Sequence, residues 1–320
     1  MRTATRHLMG AAIGLCAAAA VCVLLAFGEW RALGVQVWAQ VQYPAGPRVA
    51  GPELIAPVGA TAAALVAAAA ILVGCLCGWR ALSPAGPLAA GVALFGAGMF
   101  AAADFVQAAR VLRRGELTDG WQSLVTDHVL LVVGGVLVIA ALMPGRWRAV
   151  GPALPRTRSS PAMRAVAVLA GIVAIPVAWY LVQLSNQGFY AYPNPTWLGF
   201  RPTADLENAT VAGVVVVLGL LAASRPVPRI TGVIAGTPML AMGLAGLLAP
   251  RLASEAIRSL GFSPSWRYAI LQALASCLTL LYGGILVVSG LAPESWPSAG
   301  LLAALAGSAQ AGSAETAVPS

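Results

Sequence analysis

The chain has 320 residues, of which 59% are hydrophobic and only 9% are charged. Soluble globular domains carry about 25% charged residues, so this composition excludes an ordinary water-soluble fold and indicates lipid as the main solvent. The formal net charge is +8, and every basic residue is an arginine. We attribute this charge to cytoplasmic loops and expect no nucleic-acid partner, and the lack of lysine excludes lysine Schiff-base and P-loop chemistry.

Long apolar runs recur along the chain, and a helix needs about 20 such residues to cross the hydrocarbon core. We predict spans at 8–27, 56–78, 86–106, 125–143, 164–184, 207–224, 231–249 and 268–291. The sequence therefore predicts an all-α, polytopic membrane protein of about eight transmembrane helices. The first run, preceded by Arg2 and Arg6, also resembles a signal peptide. The fifth run occupies the equivalent place in the second half of the chain, where a signal peptide cannot lie. We therefore expect the first run to be a retained helix.

An internal duplication is visible when the chain is aligned with itself at a shift of 145 to 149 residues. At 145, Gly91 meets Gly236 and Trp121 meets Trp266. At 149, the segment GGVLVIAALMPGRW meets GGILVVSGLAPESW without a gap. Matching tryptophans and prolines outside the spans are hard to explain by chance similarity between apolar segments.

Two parallel four-helix membrane repeats follow from this duplication, over 1–150 and 151–297, with a disordered tail over 298–320. Each repeat holds four spans, an even number, so both have the same orientation in the membrane. The heaviest arginine cluster, 146–164, contains no acidic residue, and positive loops stay in the cytoplasm. We therefore predict cytoplasmic termini. The composition is typical of a high-GC bacterium, so we expect a bacterial plasma membrane.

Polar residues at the outer ends of spans are the candidates for chemistry, since ionisable groups in a membrane are expensive. Asp104 ends the third predicted span, and Asp127 and His128 begin the fourth. The three are predicted to form an outer-face polar cluster. The second half has no acidic residue or histidine at the equivalent positions, where the counterparts are Ala249, Ser276 and Cys277. The alternative is that these residues simply meet water at helix ends.

Two long outer loops, 28–55 and 185–206, are predicted and are rich in aromatic residues. A candidate aromatic loop platform for an amphipathic ligand consists of Trp30, Trp38, Tyr190 and Trp197. Two further outer connections, 106–122 and 252–266, are amphipathic and are predicted to lie in the membrane interface. Trp121 and Trp266 are expected at headgroup level. Interfacial anchoring is the alternative to ligand binding for all these aromatic residues.

No catalytic motif is present, so we assign no catalytic residue, no metal and no cofactor. The five cysteines lie in apolar runs without a CxxC, and the two histidines are predicted on opposite sides of the membrane. We expect a non-enzymatic scaffold or a subunit of an envelope complex, whose partners are membrane lipid and other membrane protein subunits. Two alternatives stay open. One is a transporter or lipid-handling protein with a site between the halves, and the other is a membrane enzyme acting at the outer face.

Overall fold

A computed structural model of the protein is all-helical in the part of the chain that it describes. It describes residues 2–41, 52–78, 83–103, 120–121, 124, 128–142, 161–162, 165–166, 169, 173, 213–215, 217, 230–261, 270, 274 and 277–292. Within these residues the helices are α1 Arg2–Val41, α2 Pro52–Gly78, α3 Ala85–Ala103, α4 Val129–Leu142, α5 Ile230–Leu248, α6 Pro250–Ser259 and α7 Leu278–Leu291.

Among the described residues, three helices are long and apolar enough to cross a membrane. Their apolar segments are Ala4–Ala32, Pro57–Gly78 and Ile230–Leu248, which match the first, second and seventh predicted spans. The apolar helices α4 and α7 and the segment Ala85–Ala101 of α3 are shorter. The fifth and sixth predicted spans lie largely outside the described residues. A membrane location is therefore supported, and the full set of eight spans stays a prediction.

Helix α1 continues far beyond the first predicted span. The prediction of a loop from residue 28 is wrong for its first part, because Trp30 and Trp38 lie on α1, which ends at Val41. The physical reason is visible in the sequence. Residues 29–41 hold mostly good helix formers, and the first proline after them is Pro44, so nothing stops the helix earlier.

Helices α4 and α7 begin later than the fourth and eighth predicted spans. Each starts directly after a residue with a left-handed backbone, His128 with φ 53° and Cys277 with φ 61°. A left-handed residue interrupts the regular helical geometry, so each predicted span breaks at this point. With 14 residues each, α4 and α7 are about 21 Å long, shorter than the roughly 30 Å hydrocarbon core.

The helices pack into a bundle around an extended apolar core. Helix α1 packs against α2 and α3, α3 against α4, α5 against α7, and α2 against α7. Near the N-terminus, His7 Nδ1 is hydrogen-bonded to Ser83 Oγ just before α3. We call the opposite side, where α1 and α5 end and α2, α4 and α7 begin, the distal side. It corresponds to the predicted outer side.

The α3–α4 and α5–α7 contacts both rest on a pair of facing glycines. A methyl group built on Gly134 would lie 2.8 Å from the Gly91 carbonyl oxygen, and one on Gly283 would lie 2.8 Å from the Gly236 carbonyl oxygen. These positions need glycine because the opposing atoms are backbone atoms, which cannot turn aside. Small residues at such contacts let helix backbones approach closely.

The contact between α2 and α7 joins the two halves of the chain. Three pairs fix its register: Ala70 with Gly284, Gly74 with Val288, and Gly78 with Ala292. The two members of every pair are 214 positions apart, so the helices run parallel. A second contact between the halves is formed by Gly135 and Val215, where a methyl group on Gly135 would lie 3.4 Å from the Val215 Cβ.

Candidate functional site

The structure describes the predicted site residues only in part. Asp104, Asp127, Tyr190 and Trp197 lie outside the described residues, as does the side chain of Trp38, so the predicted outer-face cluster stays a prediction for both carboxylates. His128 lies on the distal side, immediately before α4. Trp30 lies near the distal end of α1, where the Arg31 guanidinium carbon is 4.5 Å from its ring centroid.

A narrow apolar seam lies between α4 and α7. Its lining comes from matching positions on the two helices, Val133 and Val136 on α4 and Tyr282 and Ile285 on α7, each pair 149 positions apart. The two helices therefore lie side by side at the same height. As a consequence, His128 and Cys277, which precede α4 and α7, lie at the same depth at the distal end of this seam.

Two buried residues that can ionise, Glu29 and Cys277, lie toward the distal side of the bundle. Glu29 on α1 is only 2% exposed, and Cys277 is 1% exposed. Burying a carboxylate is costly unless it is paired, and Glu29 does have an interaction partner. The sequence analysis did not mark Glu29 as a candidate, because Glu29 closely follows the first apolar run and was assigned to a loop.

The depth of this pair follows from the register of α2 against its neighbours. Contacting residues of α2 and α7 are 214 positions apart, which places Cys277 level with Ala63. Ala63 lies six residues, or about 9 Å along the helix, from Pro57, where the apolar segment of α2 begins. Gly28, next to Glu29, packs against the side chain of Val66. Glu29 and Cys277 therefore lie at a similar level, inside the apolar part of the bundle rather than at its edge.

Two further polar groups lie near this level and have buried atoms without a hydrogen-bond partner among the described residues. They are Trp121 Nε1 and His128 Nδ1. Gly120, next to Trp121, packs against α1 at Ala26 and Trp30. A methyl group built on Gly120 would lie only 2.9 Å from the Trp30 backbone nitrogen. Trp121 thus lies beside the turn of α1 that carries Glu29.

Trp121 packs, half-buried, against the apolar core. Its expected place at headgroup level stays a prediction. An indole N–H can only donate a hydrogen bond, and leaving a buried donor unsatisfied costs about 1–3 kcal/mol. We call Glu29, Trp121, His128 and Cys277 the distal polar group. Of these residues, the sequence marked His128 as a site candidate and Trp121 as an interfacial aromatic residue, and it did not mark Glu29.

Metal binding has no support in the described part of the chain. There, no group of three or more histidine, cysteine or acidic side chains is arranged to hold an ion. The five cysteines are free thiols. The chemistry that the distal polar group offers is therefore hydrogen bonding by the indole of Trp121 and the imidazole of His128.

Comparison of the chain with family models, with curated proteins and with solved structures finds no match. The function must therefore be argued from the geometry alone.

Proposed function

We propose that the chain is a multi-pass protein of a bacterial plasma membrane, built from two parallel four-helix repeats with both termini in the cytoplasm. Matching elements support the repeat. Helices α3 and α5 both have 19 residues and start 145 positions apart, and α4 and α7 both have 14 residues and start 149 positions apart. The left-handed residues His128 and Cys277 precede α4 and α7 at equivalent positions.

Reciprocal contacts between the halves give further support. Ala70 of the first half packs on Gly284 of the second, and Val215 of the second half packs on Gly135 of the first. Ala70 and Val215 are equivalent at the shift of 145, and Gly135 and Gly284 at the shift of 149. Such exchange of partners is what a two-fold relation between two similar units produces.

For the activity, we propose a non-enzymatic role as a scaffold or as a subunit of an envelope complex. The observation that carries this proposal is the apolar seam between the halves. The seam between α4 and α7 is lined by Val132, Val133, Val136, Tyr282, Ile285 and Leu286. Helices α3, α4, α5 and α7 contain no charged residue. Transport paths and proton relays are marked by polar or ionisable residues within the spans, which these helices do not supply.

Two engineered disulfides test the repeat arrangement in a chain whose five cysteines are replaced by alanine. The pair Ala70→Cys with Gly284→Cys joins Cβ positions 2.7 Å apart, and the pair Gly135→Cys with Val215→Cys joins positions 3.4 Å apart. Both are within reach of a disulfide after small shifts, so we expect both to form. The control pair Gly96→Cys with Gly284→Cys should not, because Gly96 faces open space. Cross-linking of only one of the first two pairs would contradict the two-fold relation.

Chemical cross-linking in native membranes tests the scaffold role. After mild solubilisation we expect the chain in an assembly well above its own 32.5 kDa, with a second protein present in fixed stoichiometry. The same assembly should be recovered at two detergent concentrations. A chain that migrates alone after efficient cross-linking is not a scaffold or a complex subunit.

A further inference from the structure

Helix α6 follows α5 directly at the distal side and exposes leucines beside arginines. We propose that α6 lies on the membrane surface, with one stripe of apolar side chains among the lipid chains and its arginines at the level of the lipid phosphates. The partner of this surface is therefore phospholipid. The inference rests on the membrane location of the chain and is independent of the proposed scaffold role.

One side of α6 is fixed against the bundle. Ala253 and Ile257 are four positions apart, so they lie on the same side of the helix, and both are buried in a small cluster with Ile270 and Leu274. A methyl group on Gly246, near the end of α5, would lie 2.7 Å from the Leu274 Cβ. The cluster therefore lies at the distal end of the bundle, where α5 ends.

The rest of the α6 surface is exposed and is divided into a polar and an apolar stripe. The polar stripe consists of Arg251, Glu255 and Arg258. The apolar stripe, whose members recur every four positions, consists of Leu252, Ala256 and Leu260. Both leucines are 66% exposed. Contact of this stripe with an apolar phase is favourable, because it removes apolar surface from water.

Continuity with the surface of α5 favours lipid as this phase. Helix α5 is apolar enough to cross a membrane, and Leu248 in its last turn is exposed. Leu252 follows four positions later, across the non-helical residue Ala249. With 19 residues, α5 is about 28 Å long, close to the roughly 30 Å hydrocarbon core. Helix α6 therefore begins where the hydrocarbon ends.

The charges and the width of α6 also fit a phospholipid surface. The helix holds two arginines and one glutamate, and the Arg251 side chain is 75% exposed. Helices that lie in the interface combine arginines on the polar side with leucines on the other, and long arginine side chains extend from there to the headgroups. A protein interface needs about 20–30 residues a side, whereas the apolar stripe has three.

The first repeat does not carry this stripe. At the shift of 145, the counterparts of the buried Ala253 and Ile257 are again apolar, Ala108 and Leu112. The counterparts of the two exposed leucines are Gln107 and Gly115. The packing stripe is thus repeated and the lipid stripe is not. Membrane contact of this kind is therefore expected of the second outer connection alone, whereas the sequence predicted both connections in the interface.

Spin labels on single cysteines report which phase meets each position. The full chain, with its five native cysteines replaced by alanine, is reconstituted into vesicles of phosphatidylcholine and phosphatidylglycerol. Oxygen concentrates among lipid chains and a water-soluble nickel complex does not, so their relative collision rates identify the phase. We expect oxygen to dominate for Leu252→Cys and Leu260→Cys, and the nickel complex for Arg251→Cys and Glu255→Cys. The control Ile234→Cys, on the exposed side of α5, tests the membrane location itself.

A double variant then tests the leucines. Leu252→Gln with Leu260→Gly introduces the residues of the first repeat, so a label at Ala256→Cys should lose its preference for oxygen. Glu255→Gln, on the polar stripe, should leave that preference unchanged. An unchanged preference in the folded double variant would show that the leucines do not hold α6 in lipid.

The labels at positions 252 and 260 decide the proposal even if the double variant fails to fold. Dominance of the nickel complex there would place the stripe in water, and exclusion of both reagents would mean that protein covers it. Either result, with oxygen dominant at position 234, would overturn the proposal. None of these outcomes depends on the disulfide or complex measurements above.

Discussion

The α3–α4 and α5–α7 pairs use the same packing solution. In each pair two glycines face one another, Gly91 with Gly134 and Gly236 with Gly283, at equivalent positions. Above these contacts the pairs diverge, because His128 stands before α4 and Cys277 before α7. Contacts that set the distance between helices are thus repeated, whereas polar side chains at the distal ends are not. Similar packing with different chemistry suggests that the distal residues serve a purpose other than folding.

The largest effect is expected from filling the glycine contacts. Gly134→Leu and Gly283→Leu would each drive a side chain into backbone atoms, at Gly91 in the first case and Gly236 in the second. Overpacking a core costs about 1–3 kcal/mol and sometimes more, and here the opposing backbone cannot rotate away. We expect both variants to lose most folded, monodisperse protein in size-exclusion chromatography, to a similar extent.

Gly96→Leu is the matched control for this prediction. A methyl group on Gly96, also in α3, would meet nothing within 4 Å, so the leucine should be tolerated in a lipid-facing position. If Gly283→Leu folded normally while Gly134→Leu did not, the two pairs would not be equivalent and the repeat would lose its main packing argument.

A smaller effect is expected at the contacts between the halves. Gly284→Ala places a methyl group 2.7 Å from the Ala70 Cβ, which should lower the free energy of unfolding by about 1–3 kcal/mol. Adding Ala70→Gly removes the clash, so the double variant should recover most of this loss. The same cycle with Gly135→Ala and Val215→Ala should behave alike. Thermal unfolding in detergent measures both cycles. If the stability changes of the two single variants in a cycle simply added up in the double variant, the two residues of that pair would not be in contact.

Hydropathy alone was sufficient for the coarse fold. The apolar runs at 56–78 and 231–249 match Pro57–Gly78 and Ile230–Leu248 closely, because a membrane-spanning helix needs little beyond length and apolar composition. Gly232 and Gly236 are spaced four residues apart in the sequence, and both lie in the contact of α5 with α7. These features are local, so a single sequence contains them.

The distal ends of the helices were not predictable in the same way. Breaks at His128 and Cys277 depend on a left-handed backbone, which is uncommon for non-glycine residues even though histidine is enriched there, so no composition signal marks them. Glu29 was assigned to a loop because hydropathy falls there, although α1 continues. The burial of Glu29 is a tertiary property, created by the packing of α1 in the bundle, so no local pattern in the sequence marks it.

Substitutions at the two left-handed residues, His128 and Cys277, are expected to change the free energy of unfolding by about 1 kcal/mol. Glycine accepts a positive φ that costs other residues about 1–2 kcal/mol. His128→Gly should therefore be more stable than His128→Ala, and Cys277→Gly more stable than Cys277→Ala. Within α4, Ala140→Gly should show the opposite sign, losing about 0.5–1 kcal/mol. Thermal unfolding midpoints of the five variants provide the comparison, and a glycine variant less stable than its alanine partner would contradict the left-handed geometry at that site.

The smallest expected effect is a difference in ion pairing between the two amphipathic outer connections, 106–122 and 252–266. On α6, Ala253 and Ile257 are buried, while Arg251 and Glu255 form an exposed ion pair of 3.0 Å with side chains 75% and 54% exposed. Pairs of this kind contribute only about 0.3–0.5 kcal/mol on a helix, and salt screens them.

The first repeat cannot form this pair, because the residues equivalent to Arg251 and Glu255 at the shift of 145 are Val106 and Arg110. Glu255→Gln should therefore lower stability by about 0.3–0.5 kcal/mol at low ionic strength and by less at 1 M salt. Arg110→Gln should show no such loss. Thermal unfolding at the two salt concentrations measures both. A salt-sensitive loss in Arg110→Gln as large as that in Glu255→Gln would mean that the first connection has an ion pair of its own, and the divergence between the repeats would then be confined to the residues before α4 and α7.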